Sequence, residues 1–188
     1  MYDYNLQDAC ASEEGARTAN LRRILERRGF KPTDDVEVIR AALAMGADAL
    51  GGGLVPAETA LACELKTRRC FFTRFDADGA VDGFIALLYL NADGFTALMY
   101  GRFDPARPDP AHLTGPDEPA AAIYVWCLAG ATPQARRAVV RAVTEARRRA
   151  FPHVALFARP VSREGRMMTA ALDAPGSGSA FLGWVPAG

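Results

Sequence analysis

The side chains with the most reactive chemistry in this chain of 188 residues are four cysteines and two histidines. Cys127 lies in an apolar run beside Trp126, where a thiolate would be suited to attack an acyl group. No histidine or carboxylate lies near it in the sequence, and a cysteine inside an apolar strand is typically an inert thiol. The cysteines form no CxxC pair and no histidine lies at ligand spacing from them, so the sequence predicts no metal site.

His112 lies in a segment between Asp104 and Pro119 that contains five prolines. Proline has no backbone N–H and a fixed φ, so such a segment cannot pair regularly in a sheet. The segment is predicted to be a long loop, which is either a mobile flap or a surface insertion. His112 is accordingly either a base near a cleft or a solvated surface side chain.

A strand, a helix and a second strand are predicted around residue 132. The apolar run Ala121–Leu128 predicts a strand that Gly130 ends. Thr132–Pro133 is typical of a helix start, because it combines a capping hydroxyl with a proline in the first turn. The helix is predicted to run to about Ala150 and to be followed by a strand over residues 153–158. Such a crossover makes the two strands parallel neighbours.

The remaining elements are predicted from hydrophobic spacing and turn residues. Leu21, Ile24 and Leu25 lie on one face of a first helix, and Asp34 with Glu37 resembles the capping box of a second helix. Strands are predicted over residues 70–75, 84–90 and 95–100, joined by Asp-Gly turns at 76–79 and 91–94. The other predictions are a connector at Lys31–Thr33, three glycines at 51–53 that end the second helix, a short helix from Pro56, a helix capped by Ser162 that contains Met167, Met168 and Leu172, and a strand over 181–185.

Composition argues against several classes of function. The 22 basic and 22 acidic residues give a formal charge of zero, which is unlike the basic footprint of a nucleic-acid-binding protein. No apolar run reaches the ~20 residues that span a membrane, and the first residues lack the basic and apolar parts of a signal peptide. The sequence therefore predicts a cytoplasmic protein with free thiols that binds neither nucleic acid nor membrane.

Three stretches resemble the GNAT superfamily of N-acetyltransferases. Residues 78–86 (DGAVDGFIA) resemble the hairpin between that family's second and third strands. Residues 123–150 resemble its central strand, cofactor loop and long helix. Residues 157–168, followed by Gly183-Trp184, are similar to its fifth strand, fourth helix and last strand. Together these stretches cover roughly residues 70–185.

The resemblance implies an α/β (α+β) fold with a mixed, mostly antiparallel sheet, a central βαβ unit and a helical N-terminal segment. One domain would cover residues 1–188. Residues 1–66 would be its helical part, and residues 67–188 would hold the sheet and the cofactor site.

The resemblance also implies an acyl-CoA site where the fourth and fifth strands part. In the family, backbone amides after the fourth strand and at the start of the next helix bind the pyrophosphate, because such amides suit an anion. The corresponding residues here are Leu128, Ala129, Gly130, Ala131, Thr132, Gln134, Ala135, Arg136 and Arg137. The glycines of the family's motif are absent, and Pro133 removes one amide. Arg136 and Arg137 either replace those contacts with charge-assisted hydrogen bonds or are solvated on a polar helix face.

The implied activity is that of an acyl-CoA-dependent N-acyltransferase that uses acetyl-CoA or another acyl-CoA and no metal. The acceptor would be a small-molecule or peptide amine. The oligomeric state is left open, and a homodimer is one of the alternatives. The family's fourth helix often carries a tyrosine that protonates the leaving thiolate, and the corresponding helix here has none. Tyr89, Tyr100 and Tyr124 lie in predicted strands, and Asp117 and Glu118 precede the central strand, where a general base could lie. The alternative is a catalytically degenerate relative that binds a ligand or a partner.

Overall fold

The computed structural model describes residues 4–160, 163, 165–166 and 181–183. Within these residues, five α-helices and six strands follow one another along the chain. In order they are α1 (Tyr4–Glu26), β1 (Phe30–Pro32), α2 (Val36–Leu50), α3 (Ala57–Thr67), β2 (Phe71–Phe75), β3 (Val81–Leu90), α4 (Ala92–Met99), β4 (Ala122–Gly130), α5 (Pro133–Arg149), β5 (Ala155–Ala158) and β6 (Phe181–Gly183). A short 3₁₀ helix, Pro110–His112, lies in the loop before β4.

The six strands form one sheet in their order along the chain. Neighbours from β1 to β4 are antiparallel, whereas β4, β5 and β6 are parallel. The sheet is therefore mixed and mostly antiparallel, and α5 connects the parallel neighbours β4 and β5. The α+β class and the central βαβ unit that the sequence predicts are confirmed.

The first predicted hairpin turn, at residues 76–79, is confirmed. Asp76 Oδ1 accepts hydrogen bonds from the N–H groups of Asp78 at 3.0 Å and Ala80 at 2.9 Å. Gly79 has a φ of 81°, which glycine adopts without the steric cost of a side chain. Both features are local to the turn, which is why the sequence predicts it well.

The second predicted turn and the strand after it are wrong. Residues 92–99, which include most of the predicted turn at 91–94 and strand at 95–100, form helix α4. Asn91 is its N-cap, and Asn91 Oδ1 accepts a hydrogen bond from Gly94 N at 2.8 Å. Gly94 lies inside the helix, and the backbone at His112 packs directly against it. A side chain at this position would clash, because a Cβ there would lie 2.2 Å from the His112 carbonyl oxygen. Asparagine and glycine thus serve here as a cap and a close contact, not as a hairpin turn.

Smaller differences concern the ends of elements. The N-cap of α2 is Asp35 and not Asp34, since Asp35 Oδ1 accepts hydrogen bonds from the N–H groups of Glu37 and Val38. The predicted connector at Lys31–Thr33 overlaps the edge strand β1, in which Phe30 pairs with Arg74. Of the helix predicted after Ser162, residues 163, 165 and 166 are described and are helical, whereas Ser162, Met167, Met168 and Leu172 lie outside the described residues, as do residues 184–185 of the predicted last strand.

Helices cover both faces of the sheet. The apolar residues of α1 and α5 pack on one face, where Leu21, Ile24 and Leu25 share a core with Ile85 and Leu87 of β3 and with their neighbours. Helices α2, α3 and α4 cover the other face of the sheet. There they pack against the alternate residues of β3 and β4 that point to that face. Because β3 and β4 are apolar on both faces, they read as continuous apolar runs.

A fully buried arginine joins α1 to the start of β2 and to the loop before β4. Arg69 Nη1 donates to Glu14 Oε1 at 2.5 Å and to Thr18 Oγ1 at 3.0 Å. Its Nη2 donates to Thr114 Oγ1 at 3.1 Å and to the Glu118 carbonyl oxygen at 2.7 Å. The guanidinium also lies 4.3 Å from the centre of the Tyr89 ring. These contacts compensate a buried charge, which would otherwise destabilise the fold strongly.

A second buried acid, Glu64 of α3, binds the backbone at the start of β2. Glu64 Oε2 accepts hydrogen bonds from the N–H groups of Cys70 at 2.7 Å and Phe71 at 2.8 Å. Burial raises the pKa of Glu64 to about 7, although both N–H groups favour the charged form. Glu64 therefore links the stability of the chain to pH.

We expect Arg69→Met to lower the free energy of unfolding by about 3 kcal/mol, because the buried Glu14 carboxylate would lose its buried partner and keep only the longer contact with the part-exposed Arg17. Denaturation in urea measures this change. The double variant Glu14→Gln/Arg69→Met should recover part of the loss, since neither charge remains. As a control, Arg40→Met breaks a solvent-exposed pair with Glu58 and should cost less than about 1 kcal/mol. Equal losses for Arg69→Met and Arg40→Met would contradict the role given to Arg69.

We expect Glu64→Gln to remove much of the pH dependence of unfolding. The folded-state pKa of Glu64 lies above its ordinary value of 4.5, so its stabilising contribution is complete below pH 4.5 and is lost as the pH rises through 7. The difference corresponds to at most about 3 kcal/mol. Urea denaturation at pH 5, 6.5 and 8 should show a fall in stability for the natural chain and a flatter profile for Glu64→Gln. An unchanged slope in the variant would refute this assignment, and Glu58→Gln provides an exposed control.

Candidate functional site

The parallel strands β4 and β5 pair over four residues and then part. Ala122–Val125 pair with Ala155–Ala158. Beyond Val125, β4 continues to Gly130 with β3 as its partner, whereas β5 ends at Ala158. The edge of β4 over residues 126–130 therefore opens between the two strands, next to the predicted acyl-CoA site.

A β-bulge lies where the strands part. Ala86 of β3 pairs with Cys127, and the next residue, Leu87, pairs with Val125, so Trp126 is an additional residue in β4. A bulge re-aims side chains that would otherwise alternate between the two faces of a sheet. Trp126 and Cys127 consequently both pack on the face that α2 covers, although consecutive residues of a regular strand point to opposite faces.

A cavity of about 310 Å³ lies beside the bulge. Trp126 and Cys127 line it together with Phe71 of β2 and Ala86 of β3. The other described residues of the lining are Tyr124 of β4, residues of α2, of the connection between α2 and α3 and of the loop after α4, and Arg159, which directly follows β5. These described residues are mostly apolar and include a single charged side chain, a composition typical of small-molecule sites.

The proline-rich loop forms part of the cavity wall. Trp126 Nε1 donates a hydrogen bond to the Pro105 carbonyl oxygen at 2.7 Å. Phe103 packs against the ring of Tyr124 with 5.8 Å between the ring centres, and Pro105 and Ala106 line the cavity. The beginning of the loop is thus attached to β4 at the bulge.

Burial raises the pKa of two polar side chains of the cavity, Cys127 and Tyr124. Burial raises the pKa of the Cys127 thiol to about 12, and it also raises the pKa of Tyr124, against the opposing effect of the Arg159 charge. Cys127 contacts no histidine or carboxylate within the described part of the chain, so it lacks the partner that would activate a nucleophile. The described residues that line the cavity include no acidic side chain.

The start of α5 leaves few backbone amides free. Ala131 N–H donates to the Asp82 carbonyl oxygen at 2.9 Å, and Arg136 N–H donates to the Thr132 carbonyl oxygen at 2.9 Å. Thr132 is the N-cap, as predicted, and its Oγ1 accepts a hydrogen bond from Ala135 N–H at 3.1 Å. Since Pro133 has no N–H, the amides of Thr132 and Gln134 are the ones in this turn without a hydrogen-bond partner among the described residues.

The loop after β4 packs closely on the first turn of α5. A Cβ on Gly130 would lie 2.6 Å from Arg136 N and 2.9 Å from the carbonyl carbon of Ala135. This face of the turn is therefore filled by the protein's own backbone. The predicted cradle of amides fits a pyrophosphate poorly, whereas the open edge of β4 and the cavity fit an extended, mostly apolar arm.

The predicted cofactor residues lie near one another, but with different surroundings. Ala129 and Ala135 are buried and Leu128 packs against the core on the α5 face. Gln134, Arg136 and Arg137 are exposed at the start of α5. Neither arginine forms an ion pair within the described residues, so both guanidinium groups face solvent and are available to an anion.

The other candidate residues are distributed over the molecule. Tyr89 is buried against Arg69, and Tyr100 is exposed at the end of α4, so Tyr124 is the tyrosine of the three that lines the cavity. Asp117 and Glu118 lie before β4, at the end opposite Gly130, and Glu118 Oε2 accepts a hydrogen bond from Gly115 N–H. The two are therefore poorly placed for a general base at the opening.

Both histidines lie away from the cavity lining. The carbonyl oxygen of His112 accepts a hydrogen bond from Asn91 N–H at 3.0 Å, and its imidazole lies 6.3 Å from the ring of Phe103. His153 is exposed shortly before β5. The structure thus places His112 as a packing residue between α4 and the proline-rich loop.

Arg159 and the connection between α2 and α3 were missed by sequence reasoning. Leu54 and Val55 follow the three glycines that end α2, and they read as an ordinary linker. Arg159 is one of twenty-two basic residues and has no distinguishing motif. Its position directly after a short parallel strand is the signal that was present, because ligands of parallel sheets often bind at the carboxyl ends of strands.

The described residues include neither a candidate membrane-spanning helix nor a cluster of metal-ligating side chains. No helix there is both long and apolar enough to cross a membrane. No group of three or more histidine, cysteine, aspartate or glutamate side chains in that part of the chain is arranged to hold a metal ion.

Comparison of the chain with protein-family models, with curated proteins and with solved structures produces no match.

Proposed function

We propose that this chain is a divergent GNAT-like acyltransferase that transfers an acyl group from acyl-CoA to an amine. The observation that carries the proposal is the parting of β4 and β5 directly beside the cavity, with Arg136 and Arg137 at the other end of the exposed edge of β4. An opening between parallel strands at their carboxyl ends is a favoured place for a ligand.

The unpaired edge of β4 supports the binding of an extended ligand. Backbone N–H and C=O groups of residues 126–130 that point away from β3 have no strand partner in the described part of the chain, and such groups require hydrogen bonds. The pantetheine arm of coenzyme A contains amide groups and can satisfy a strand edge in the way that an added strand does. The free guanidinium groups of Arg136 and Arg137 would contact its phosphates.

Acyl-CoA supplies an activated thioester carbonyl when it is bound. The residues of this chain would orient it and exclude water, since the cavity wall is formed by Trp126 and by the loop that Trp126 holds through Pro105. Tyr124 lines the same cavity, and burial raises the pKa of its hydroxyl above the ordinary value for tyrosine. Tyr124 thus carries its proton at neutral pH and is the tyrosine proposed to donate it to a leaving thiolate.

A cytoplasmic location is part of the proposal. Cys63, Cys70 and Cys127 are free thiols. Burial raises the pKa of Cys63 and of Cys127 to about 12. Cysteines without disulfides are typical of a reducing compartment.

A second candidate is a non-catalytic protein that binds a ligand at the same cavity. The observation in its favour is the start of α5, where Thr132, Pro133 and the contact with Gly130 leave two amides for a pyrophosphate. This candidate shares the cavity with the first and differs in having no use for coenzyme A.

We expect acetyl-CoA or palmitoyl-CoA to stabilise the chain. A ligand at a hundredfold excess over its dissociation constant adds about 2.7 kcal/mol to the free energy of unfolding, which raises the melting temperature by roughly 5–10 °C for a domain of this size. Thermal denaturation with each ligand measures the shift. If neither ligand changes the melting temperature at saturating concentration, the acyltransferase proposal is refuted.

We expect the double variant Arg136→Ala/Arg137→Ala to weaken CoA binding about tenfold at low salt, because charge-assisted hydrogen bonds to phosphate would be lost. Arg148→Ala, which removes an exposed arginine from the other end of α5, is the matched control and should bind CoA like the natural chain. The difference between the variants should shrink at high salt. Equal affinities of the double variant and the control would contradict the phosphate contact.

A further inference from the structure

We infer that the cavity beside the bulge binds a medium-length, straight apolar acyl group of about eight carbons, with its carboxylate or carbonyl end at Arg159. This inference deepens the proposed function and rests on it for the identity of the acyl donor. It names the acyl group that the chain prefers, and it assigns the amine acceptor to a different surface.

The size of the cavity argues against an acetyl group as its natural occupant. Its volume of about 310 Å³ equals that of about ten water molecules at about 30 Å³ each. An acetyl group would leave most of this space without contacts, and unfilled apolar space forfeits dispersion energy. A methylene group takes up roughly the volume of a water molecule, so a chain of about eight carbons with its head group corresponds to this volume.

The chemistry of the lining argues for an aliphatic chain. Leu43 of α2 and Leu54 and Val55 after α2 lie on one side, and Phe71 and Ala86 of the sheet lie on another. Ala86 is buried between its strand partners Phe71 and Cys127, so the small methyl side chain leaves room above the sheet at this point. The polar groups among these residues are those of the backbone.

The charge of the lining argues for an acidic or carbonyl head group. Arg159 is the charged side chain of the lining and forms no ion pair within the described residues. It follows Ala158, the last residue of β5 that pairs with β4, so it lies where the strands part. Because the described residues of the lining include no carboxylate, an ammonium group would meet only a like charge among them. The cavity is therefore suited to the acyl group and not to the amine.

The first test is calorimetric titration of the full chain with the sodium salts of acetic, butanoic, hexanoic, octanoic and decanoic acids. The dissociation constant should fall about fourfold for each added methylene that is buried, and it should level off near eight to ten carbons. Octylamine has the same chain and the opposite charge, and we expect it to bind about tenfold more weakly than octanoate. Affinity that is independent of chain length, or octylamine binding as tightly as octanoate, would overturn the inference.

Variants test the place of binding. Val55→Trp puts an indole at the cavity and should weaken octanoate binding at least about tenfold through the loss of buried methylenes. Val38→Trp changes the same residue type at a half-buried position of α2 outside the lining, and it should leave the affinity unchanged. Arg159→Met removes the charge and keeps an unbranched apolar stem, so octanoate should bind about threefold more weakly and octylamine no more weakly. An unchanged affinity for octanoate in Val55→Trp would overturn the assignment.

Thioesters separate this inference from the proposed function. If both hold, octanoyl-CoA binds more tightly than acetyl-CoA, and Val55→Trp removes the difference. If octanoate binds and neither coenzyme A nor acetyl-CoA does, the acyltransferase proposal fails and the cavity keeps its ligand as a free acid. If acetyl-CoA and octanoyl-CoA bind equally and octanoate does not bind, the chain-length inference fails and the proposed function stands.

Discussion

Among the described residues, strand β4 beyond Val125 has a hydrogen-bonding strand partner on one side only. β3 pairs with it as far as Gly130, while β5 ends opposite Val125. A backbone edge inside a sheet must be satisfied by water, by a ligand or by other parts of the protein. The bulge, the cavity and the start of α5 all lie along this one edge. The arrangement of the candidate site follows from where the pairing stops.

The bulge at Trp126 converts this edge into a cavity wall. The additional residue turns Trp126 and Cys127 to the same face of the sheet, and the indole N–H then holds Pro105 of the proline-rich loop. At its other end the same loop is held by Arg69, which contacts Thr114 and the Glu118 carbonyl oxygen. The loop is thus tied to the sheet near both of its ends. The beginning of the loop closes one side of the cavity through Pro105 and Ala106.

The start of α5 shows how local satisfaction and ligand binding compete. Thr132 caps the helix and Pro133 begins it with a favourable φ. Both residues reduce the number of backbone amides that an anion can contact, because Thr132 occupies the N–H of Ala135 and Pro133 has none. The close packing of Gly130 on Ala135 and Arg136 reduces it further. Recognition of phosphate at this helix would depend on side-chain charge more than on backbone geometry. This distinguishes the chain from a glycine-rich phosphate loop, in which the backbone makes most of the contacts.

The local structure of this protein can be predicted from its sequence. Thr132–Pro133 predicts the start of α5, Asp76–Gly79 predicts a turn, and the apolar runs of β3 and β4 predict buried strands, because each signal acts within a few residues of its own position. The same reasoning placed a strand at residues 95–100, since an asparagine and a glycine serve equally as turn and as helix cap. What decided between them was the contact of Gly94 with His112, eighteen positions later.

Pairing between distant segments decided the rest. The register shift opposite Ala86, the end of β5 at Ala158 and the position of Arg159 beside Tyr124 and Trp126 depend on which residues meet across the sheet. A one-residue shift in register turns every following side chain to the other face, and no pattern within β4 announces where the shift occurs. The sequence therefore determined the elements and their apolar faces. The tertiary structure alone determined the cavity, because its lining is drawn from segments that are distant along the chain and become neighbours only when the strands pair.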